Sequence, residues 1–250
     1  MAEPIVFYDI PGNVTGTAMS GNTMKARLTL NLKSLPYTTV WVEYPDIERT
    51  AKELGVGPTA VWPDGSPMYT LPIIYDPSTK TAIGESTAIA RYLDATYPDT
   101  PRVIPEGTEA FQEATTWAIN TAIGVIGLRM YQPVVLERLD GASKAYYKAA
   151  RERTFGGVIE EWSPRGSAAR EAHWKHLHNA FGQIAGWLDA GSGEERRFFM
   201  GERASFADIV LAGRLLGMKR VFGEESDDWK TIESWHGGRW VRQIEAFDWL

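Results

Sequence analysis

A chain of 250 residues with 44% hydrophobic and 23% charged residues has the composition of a globular protein, long enough for one large or two ordinary domains. A net charge of −6 without any basic run argues against a nucleic-acid partner, and no apolar run approaches the ~20 residues of a membrane helix. The absence of cysteine excludes disulfides, thiolate metal sites and a protein thiol nucleophile, so any thiol that reacts here must arrive with a ligand.

The opening Met-Ala-Glu-Pro lacks a basic segment followed by an apolar core, which predicts a cytoplasmic location. Ile5-Val6-Phe7-Tyr8 reads as a short apolar strand, followed by a loop from Pro11 to Gly21. The near alternation of Ala26, Leu28, Leu30 and Leu32 is compatible with a strand. The Thr23-Met24-Lys25-Ala26-Arg27 entry and the stop at Pro36 favour a helix. Tyr37 to Val42, β-branched and aromatic, predicts a strand, and Pro45 to Leu54 a helix. Gly55 to Met68, punctuated by Gly-Pro, Trp-Pro and Asp-Gly-Ser-Pro, reads as a surface excursion.

Tyr69 to Leu93 is the most informative stretch. Pro72 opens the apolar run Ile73-Ile74-Tyr75, Asp76-Pro77-Ser78-Thr79 is a turn cluster, and Thr81-Ala82-Ile83 returns as a hairpin strand. Gly84-Glu85-Ser86 then meets a helix whose apolar positions Ala88, Ile89, Tyr92 and Leu93 recur at helical spacing. A helix N-terminus has unpaired N–H groups and partial positive charge, so a carboxylate is held well there, and Glu85 beside it offers a charge for an ammonium group. Taken alone, the pair reads better as a plain helix N-terminus, with Ser86 as its cap and Glu85 favouring the helix start.

A Pro- and Gly-bearing linker spans Tyr97 to Gly107, after which strand signals vanish. Thr108 to Leu139 predicts a long helix containing Gly124 and Gly127 and interrupted at Pro133. Ala142 to Val158 and Ala168 to Leu188 predict further helices, separated by the Ser163-Pro164-Arg165-Gly166 turn. Ser205-Phe-Ala-Asp208 has capping-box spacing, with Asp in the place usually taken by Glu. His173, His176 and His178 suggest a metal at first sight. Only His173 and His176 share a helical face, so a surface helix without metal is expected. The tryptophans, ten in all, read mainly as packing.

The Leu71-Pro72, Glu85-Ser86 and Ser205-x-x-Asp208 signals together resemble those of glutathione transferases, and the resemblance covers essentially the whole chain. It implies a thioredoxin-like glutathione-binding domain over residues 1–97, with a βαβ then ββα order, followed by an all-helical domain over 108–250 that lines a hydrophobic site. It also implies glutathione as co-substrate, no metal, a homodimer, and hydrophobic aromatic small molecules as the other ligands. In that family a cis proline turns the preceding backbone toward the cysteinyl part of glutathione, which carries over to Leu71 and Pro72. Glu85 and Ser86 become the γ-glutamyl clamp.

Ser20-Gly21-Asn22-Thr23-Met24-Lys25-Ala26-Arg27 resembles the first-helix segment of the serine- and cysteine-type classes, and Leu35 to Glu48 looks most like the fungal etherase-related class. The active residue then maps to Ser20, donating a hydrogen bond to the glutathione thiolate, with Asn22 and Thr23 as further donors. Tyr8 is the rival, because other classes use a tyrosine at the end of the first strand. Gly21 stands where proline is common and Met24 where tryptophan is common, and Gly21 is expected to loosen the loop. The resemblance places Tyr8, Met19, Trp117 and Met130 along the hydrophobic site. The activity implied is attack of the thiolate on a hydrophobic or aromatic electrophile or a peroxide, with ether cleavage as a further activity. A ligandin storing plant-derived phenolics with little turnover is the alternative, and a relative that has lost catalysis is disfavoured by Ser20, Glu85 and Ser86.

Overall fold

The N-terminal sheet is built around strand β1 (Ile5–Asp9), whose alternate side chains Ile5, Phe7 and Asp9 are buried. A computed structural model describes residues 3–191 and 193–247 of the chain. Helix α1 (Gly21–Leu32) connects β1 to β2 (Tyr37–Trp41), which pairs parallel to it in the register Phe7 to Thr39. Strand β5 (Ile73–Asp76) pairs antiparallel on the other side of β1, and β6 (Thr81–Gly84) returns against β5, giving the order β2-β1-β5-β6. Helix α3 (Ser86–Thr96) follows directly. The βαβ then ββα order expected from the sequence is therefore present.

One face of this sheet is covered by α1 and α3, with Ile5, Phe7, Ala26, Leu30, Ile74, Ile89 and Leu93 interlocked between them. The opposite face carries α2 (Ile47–Glu53), entered through a 3₁₀ turn at Tyr44–Asp46 rather than as one helix from Pro45. The excursion from Gly55 holds structure of its own: β3 (Ala60–Val61) and β4 (Pro67–Met68) form a small antiparallel ribbon. Its turn is closed by Ser66 N donating to Asp64 Oδ1 at 3.0 Å. Strands this short carry no periodicity, which is why the sequence reads there as loop.

The linker is fastened to α3 by a buried carboxylate. Asp94 accepts from Lys33 Nζ at 2.8 Å, from Val103 N at 3.1 Å and from Ile104 N at 2.8 Å. Beyond it lie α4 (Glu109–Glu137), α5 (Gly141–Phe155), α6 (Ala168–Leu188), α7 (Phe206–Phe222), α8 (Asp227–Ser234) and α9 (Arg239–Glu245). The expected interruption of α4 at Pro133 is corrected: the helix runs through Pro133, and the backbone departs from helix at Gly124, with φ 56° and ψ −173°. That region is open essentially only to glycine, whereas proline removes a single helical hydrogen bond.

Helix α7 is the axis of the bundle, buried along most of its length. Its start carries the expected capping box: Asp208 Oδ2 accepts from Ser205 N and Ser205 Oγ, each at 2.8 Å. Asp208 Oδ1 accepts from Phe199 N at 2.9 Å, so the cap also holds the preceding loop. Gln112 Oε1 on α4 accepts from Ala207 N at 2.8 Å, tying the two helices together. The core beneath α2 continues without a break into the helical part, where Ile10, Ile47 and Leu71 share a cluster with Val135, Tyr147 and Val221.

Candidate active site

Ser20 is the N-cap of α1. Its backbone is extended (ψ 116°), and Oγ accepts from Asn22 N at 3.3 Å and Thr23 N at 3.4 Å. With both lone-pair directions turned to these amides, the hydroxyl proton is left to point outward, beside the positive end of the helix. Thr23 is fully buried and its Oγ1 donates to Ser20 O at 3.1 Å, so it stabilises the turn and does not face the cavity. Asn22 does line the cavity.

Gly21 does not loosen this turn. A Cβ at Gly21 would stand 3.0 Å from Gly213 O, and one at Gly217 would stand 2.9 Å from both Gly21 N and Cα. The three glycines let the start of α1 lie backbone to backbone on α7, which fixes Ser20. The expectation of looseness fails because the partner glycines lie far along the chain. Met24 is fully buried in the bundle core.

Leu71 precedes a cis peptide bond to Pro72, and Leu71 lines the same cavity as Ser20. Glu85 N donates to Pro72 O at 3.2 Å. Glu85 holds φ at 76°, unusual for a residue with a Cβ, and its carboxylate folds back on its own helix. It accepts from Thr87 N at 3.0 Å and Ala88 N at 3.0 Å, and Ser86 Oγ donates to it at 3.1 Å. The capping is thus performed by Glu85, with Ser86 as the first helical residue. Neither lines the cavity bordered by Ser20 and Leu71. Lys25, on the buried side of α1, is pushed down to about 8 by burial and then by Arg214, with Glu85 acting the other way.

The cavity has a volume of about 250 Å³ and joins Met19, Ser20, Asn22 and Leu71 to walls from the helical part. Those walls follow helical spacing: Leu128, Tyr131, Gln132 and Val135 from α4; Tyr146, Tyr147, Ala150 and Arg151 from α5; Arg214 and Met218 from α7. Tyr44 and Tyr147 meet edge-on at 5.1 Å, and burial raises both hydroxyls, as it does that of Tyr131. All three therefore remain protonated donors. Tyr131 OH donates to Met19 O at 3.4 Å, joining α4 to the residue before Ser20.

Of the residues expected along the hydrophobic site, Met19 lines the cavity and the other three do not. Met130 is fully buried in the bundle core, turned away from the cavity that the adjacent Tyr131 lines. Trp117 lies beyond the Gly124 break and is 70% exposed. Tyr8 is half-buried against the sheet core, and its hydroxyl is raised first by burial and then by Tyr75. Among the described residues no group of three His, Asp or Glu side chains is placed to hold a metal. His178 instead stacks on His236 at 5.1 Å.

Residues 19–96 match the profile described as "Glutathione S-transferase, N-terminal domain", and residues 110–249 the one described as "Glutathione S-transferase, C-terminal domain". The chain is 32% identical to the glutathione S-transferase-like protein ustS of Aspergillus flavus over 222 residues, covering 84% of this chain and 78% of that protein. Among solved structures, CsGST63524 of Ceriporiopsis subvermispora, crystallised with glutathione, superposes with a TM-score of 0.95 at 45% identity, covering 98% of this chain and 97% of that one. GSTFuA3 of Phanerochaete chrysosporium superposes with a TM-score of 0.90 at 42% identity, covering 99% and 97%. A four-stranded mixed sheet with helices, followed by a helical bundle, matches the fold of these transferases. The chain belongs to the glutathione S-transferase family.

Proposed function

We propose that this protein binds glutathione against residues 1–97, with 108–250 as a second domain, and that Ser20 activates its thiol for attack on a hydrophobic or aromatic electrophile. The observation that carries the reading is the Ser20 hydroxyl: it accepts from the Asn22 and Thr23 amides, and Ser20 lines the cavity that Leu71 also lines. A free thiol has a pKa near 8.5 and is mostly protonated at neutral pH. A donated hydrogen bond at a helix N-terminus favours the thiolate, so Ser20 acts as a hydrogen-bond donor and not as a nucleophile.

In this reading Leu71 offers its backbone to the cysteinyl residue, with Asn22 beside it. Glu85 takes the ammonium and Ser86 the carboxylate of the γ-glutamyl end, which requires the Glu85 carboxylate to swing off its own helix. With a chloronitrobenzene the C–S bond forms, the C–Cl bond breaks and chloride leaves, the thiol proton having gone to solvent. With a peroxide the thiolate attacks one oxygen, the O–O bond breaks and the alcohol leaves after taking up a proton. A second glutathione thiol then attacks the sulfenic acid so formed, giving glutathione disulfide and water, so the peroxide is reduced and the two thiols are oxidised. The family likeness also carries a homodimer, which light scattering on the purified chain tests, and a cytoplasmic location, which cell fractionation tests.

A second reading, a ligandin for phenolics, is favoured by the rings of Tyr44, Trp62, Tyr69 and Phe155 around the cavity. Conjugation of 1-chloro-2,4-dinitrobenzene separates the two readings. Turnover lost in Ser20→Ala supports the transferase, whereas retained glutathione binding with negligible turnover of any electrophile favours the ligandin.

A further inference from the structure

The cavity walls carry two guanidinium groups and no carboxylate. Arg214 on α7 and Arg151 on α5 both line it, and none of the described lining residues is Asp, Glu, Lys or His. Arg214 donates through Nε and Nη2 to Asn120 Oδ1 at 3.3 and 3.0 Å, an amide dipole rather than a charge. Arg151 lies with its guanidinium carbon 4.8 Å from the Tyr147 ring centroid, and its Nε is buried without a hydrogen-bond partner. The titratable groups around Arg151 are the phenols of Tyr147, Tyr44 and Tyr146; those of Tyr147 and Tyr44 hydrogen-bond to its guanidinium, and none of the three carries a charge at neutral pH.

A cation taken out of water without a counter-charge is costly, and the cost is recovered when a ligand brings the anion. One such anion is the thiolate expected at Ser20. Arg214 is on that side, since its Cα stands 3.5 Å from where a Gly21 Cβ would be. Arg151 belongs to the other wall, above the Tyr44–Tyr147 pair and one helical turn before Phe155. It needs a second anion. The surroundings specify the remainder of that ligand: aromatic faces and the apolar Ile10, Val135 and Met218 suit a ring, and protonated phenols suit an oxygen-rich substituent.

We propose that Arg151 anchors an acidic group on the second substrate, so that the cavity takes an aromatic electrophile bearing a carboxylate. The guanidinium fork matches the two carboxylate oxygens, and the ring then lies toward Ser20 with its electrophilic carbon near the thiolate. This rests on the transferase reading given above. The same chemistry has another source, the glycyl carboxylate of glutathione itself, and the test separates the two.

Binding of 3-nitrobenzoate and of 3-nitrobenzamide is measured by calorimetry with S-methylglutathione present, and conjugation is followed with 4-chloro-3-nitrobenzoate and its amide. In the conjugation the C–S bond forms and chloride leaves. The wild-type protein should bind the acid about 10- to 100-fold more tightly than the amide, the range of one charge-assisted hydrogen-bonded contact. Arg151→Gln should bring that ratio to about 1, and Arg151→Lys should retain part of it. A wild-type ratio near or below 1 overturns the proposal, and this needs no variant to fold. So does a ratio unchanged in a folded Arg151→Gln protein. If Arg151 holds the glycyl carboxylate instead, Arg151→Gln weakens S-methylglutathione binding while the wild-type acid-to-amide ratio is near 1, which also overturns it. Failure to conjugate any chloronitroarene counts against the transferase reading, and the binding ratio still decides the anchor.

Discussion

Gly217 on α7 lies against Gly21 at the start of α1 so closely that a Cβ on Gly217 would meet the Gly21 backbone at 2.9 Å. The neighbour is backbone, which cannot rotate away, so the contact itself sets how Ser20 is presented. Gly217→Ala is expected to cost about 1–3 kcal/mol by overpacking and to lower turnover further by tilting α1. Gly186 on α6 is the control, because nothing lies within 4 Å of a Cβ there. Gly186→Ala should stabilise by about 0.5–1 kcal/mol through helix propensity alone, with turnover unchanged. Thermal melts and steady-state rates on both variants check this, and equal behaviour of the two would remove the packing argument.

Ser20→Ala removes both a helix cap and the donor to the thiolate. The first loss is expected to cost about 1 kcal/mol of stability. The second should raise the apparent thiol pKa in the rate profile and lower turnover, with glutathione affinity within a few-fold. A pKa that stays put in Ser20→Ala and moves in Tyr8→Phe would transfer the role to Tyr8. Ser20→Cys adds a thiol to a chain that has none, so oxidised glutathione should leave one mass adduct on the variant and none on the wild type.

Glu85 is placed to serve two partners, its own helix and a ligand ammonium. Glu85→Gln keeps an acceptor for the Thr87 and Ala88 amides and removes only the charge. Glutathione affinity should fall by about 1–3 kcal/mol while the melting temperature changes little. Ser86→Ala should weaken binding over the same range. Calorimetry finding unchanged affinity in both variants would take the clamp out of the account.

The local features were legible because they are written in neighbouring residues. Ser20 and Ser205 stand where their helices begin, and the Asp76–Thr79 turn separates two strands that pair in register, Ile74 to Ile83. What escaped depends on residues distant in sequence or on a choice between two local rules. Gly21 reads as loose until Gly213 and Gly217 are brought against it. Gly124 and Pro133 both disrupt helices, and only the fold shows that the glycine takes the break. Met130 and Tyr131 are adjacent, yet one is core and the other cavity wall, because the face of α4 that meets the cleft is set by how α5 and α7 pack on it. The Leu128, Tyr131, Gln132, Val135 stripe was itself readable, but nothing in one sequence marks it as the cavity face.

Asp208 gives a pH signature of its own. Burial pushes its carboxyl up to about 6, against the hydrogen bonds from Phe199 N, Ser205 N and Ser205 Oγ. The unfolded chain releases this proton near 3.8, so between about pH 4 and 6 the native state holds a proton that the unfolded state has lost. Stability from this group is therefore fully present below pH 4 and is lost as pH rises through 6, by up to about 3 kcal/mol for a shift of this size. Asp208→Asn has no such titration, while every other carboxylate is common to both proteins. Urea unfolding at pH 4, 5 and 6.5 should show the wild-type advantage over Asp208→Asn shrinking as pH rises. An advantage that is flat or grows with pH would mean that the hydrogen bonds, not burial, govern this carboxyl.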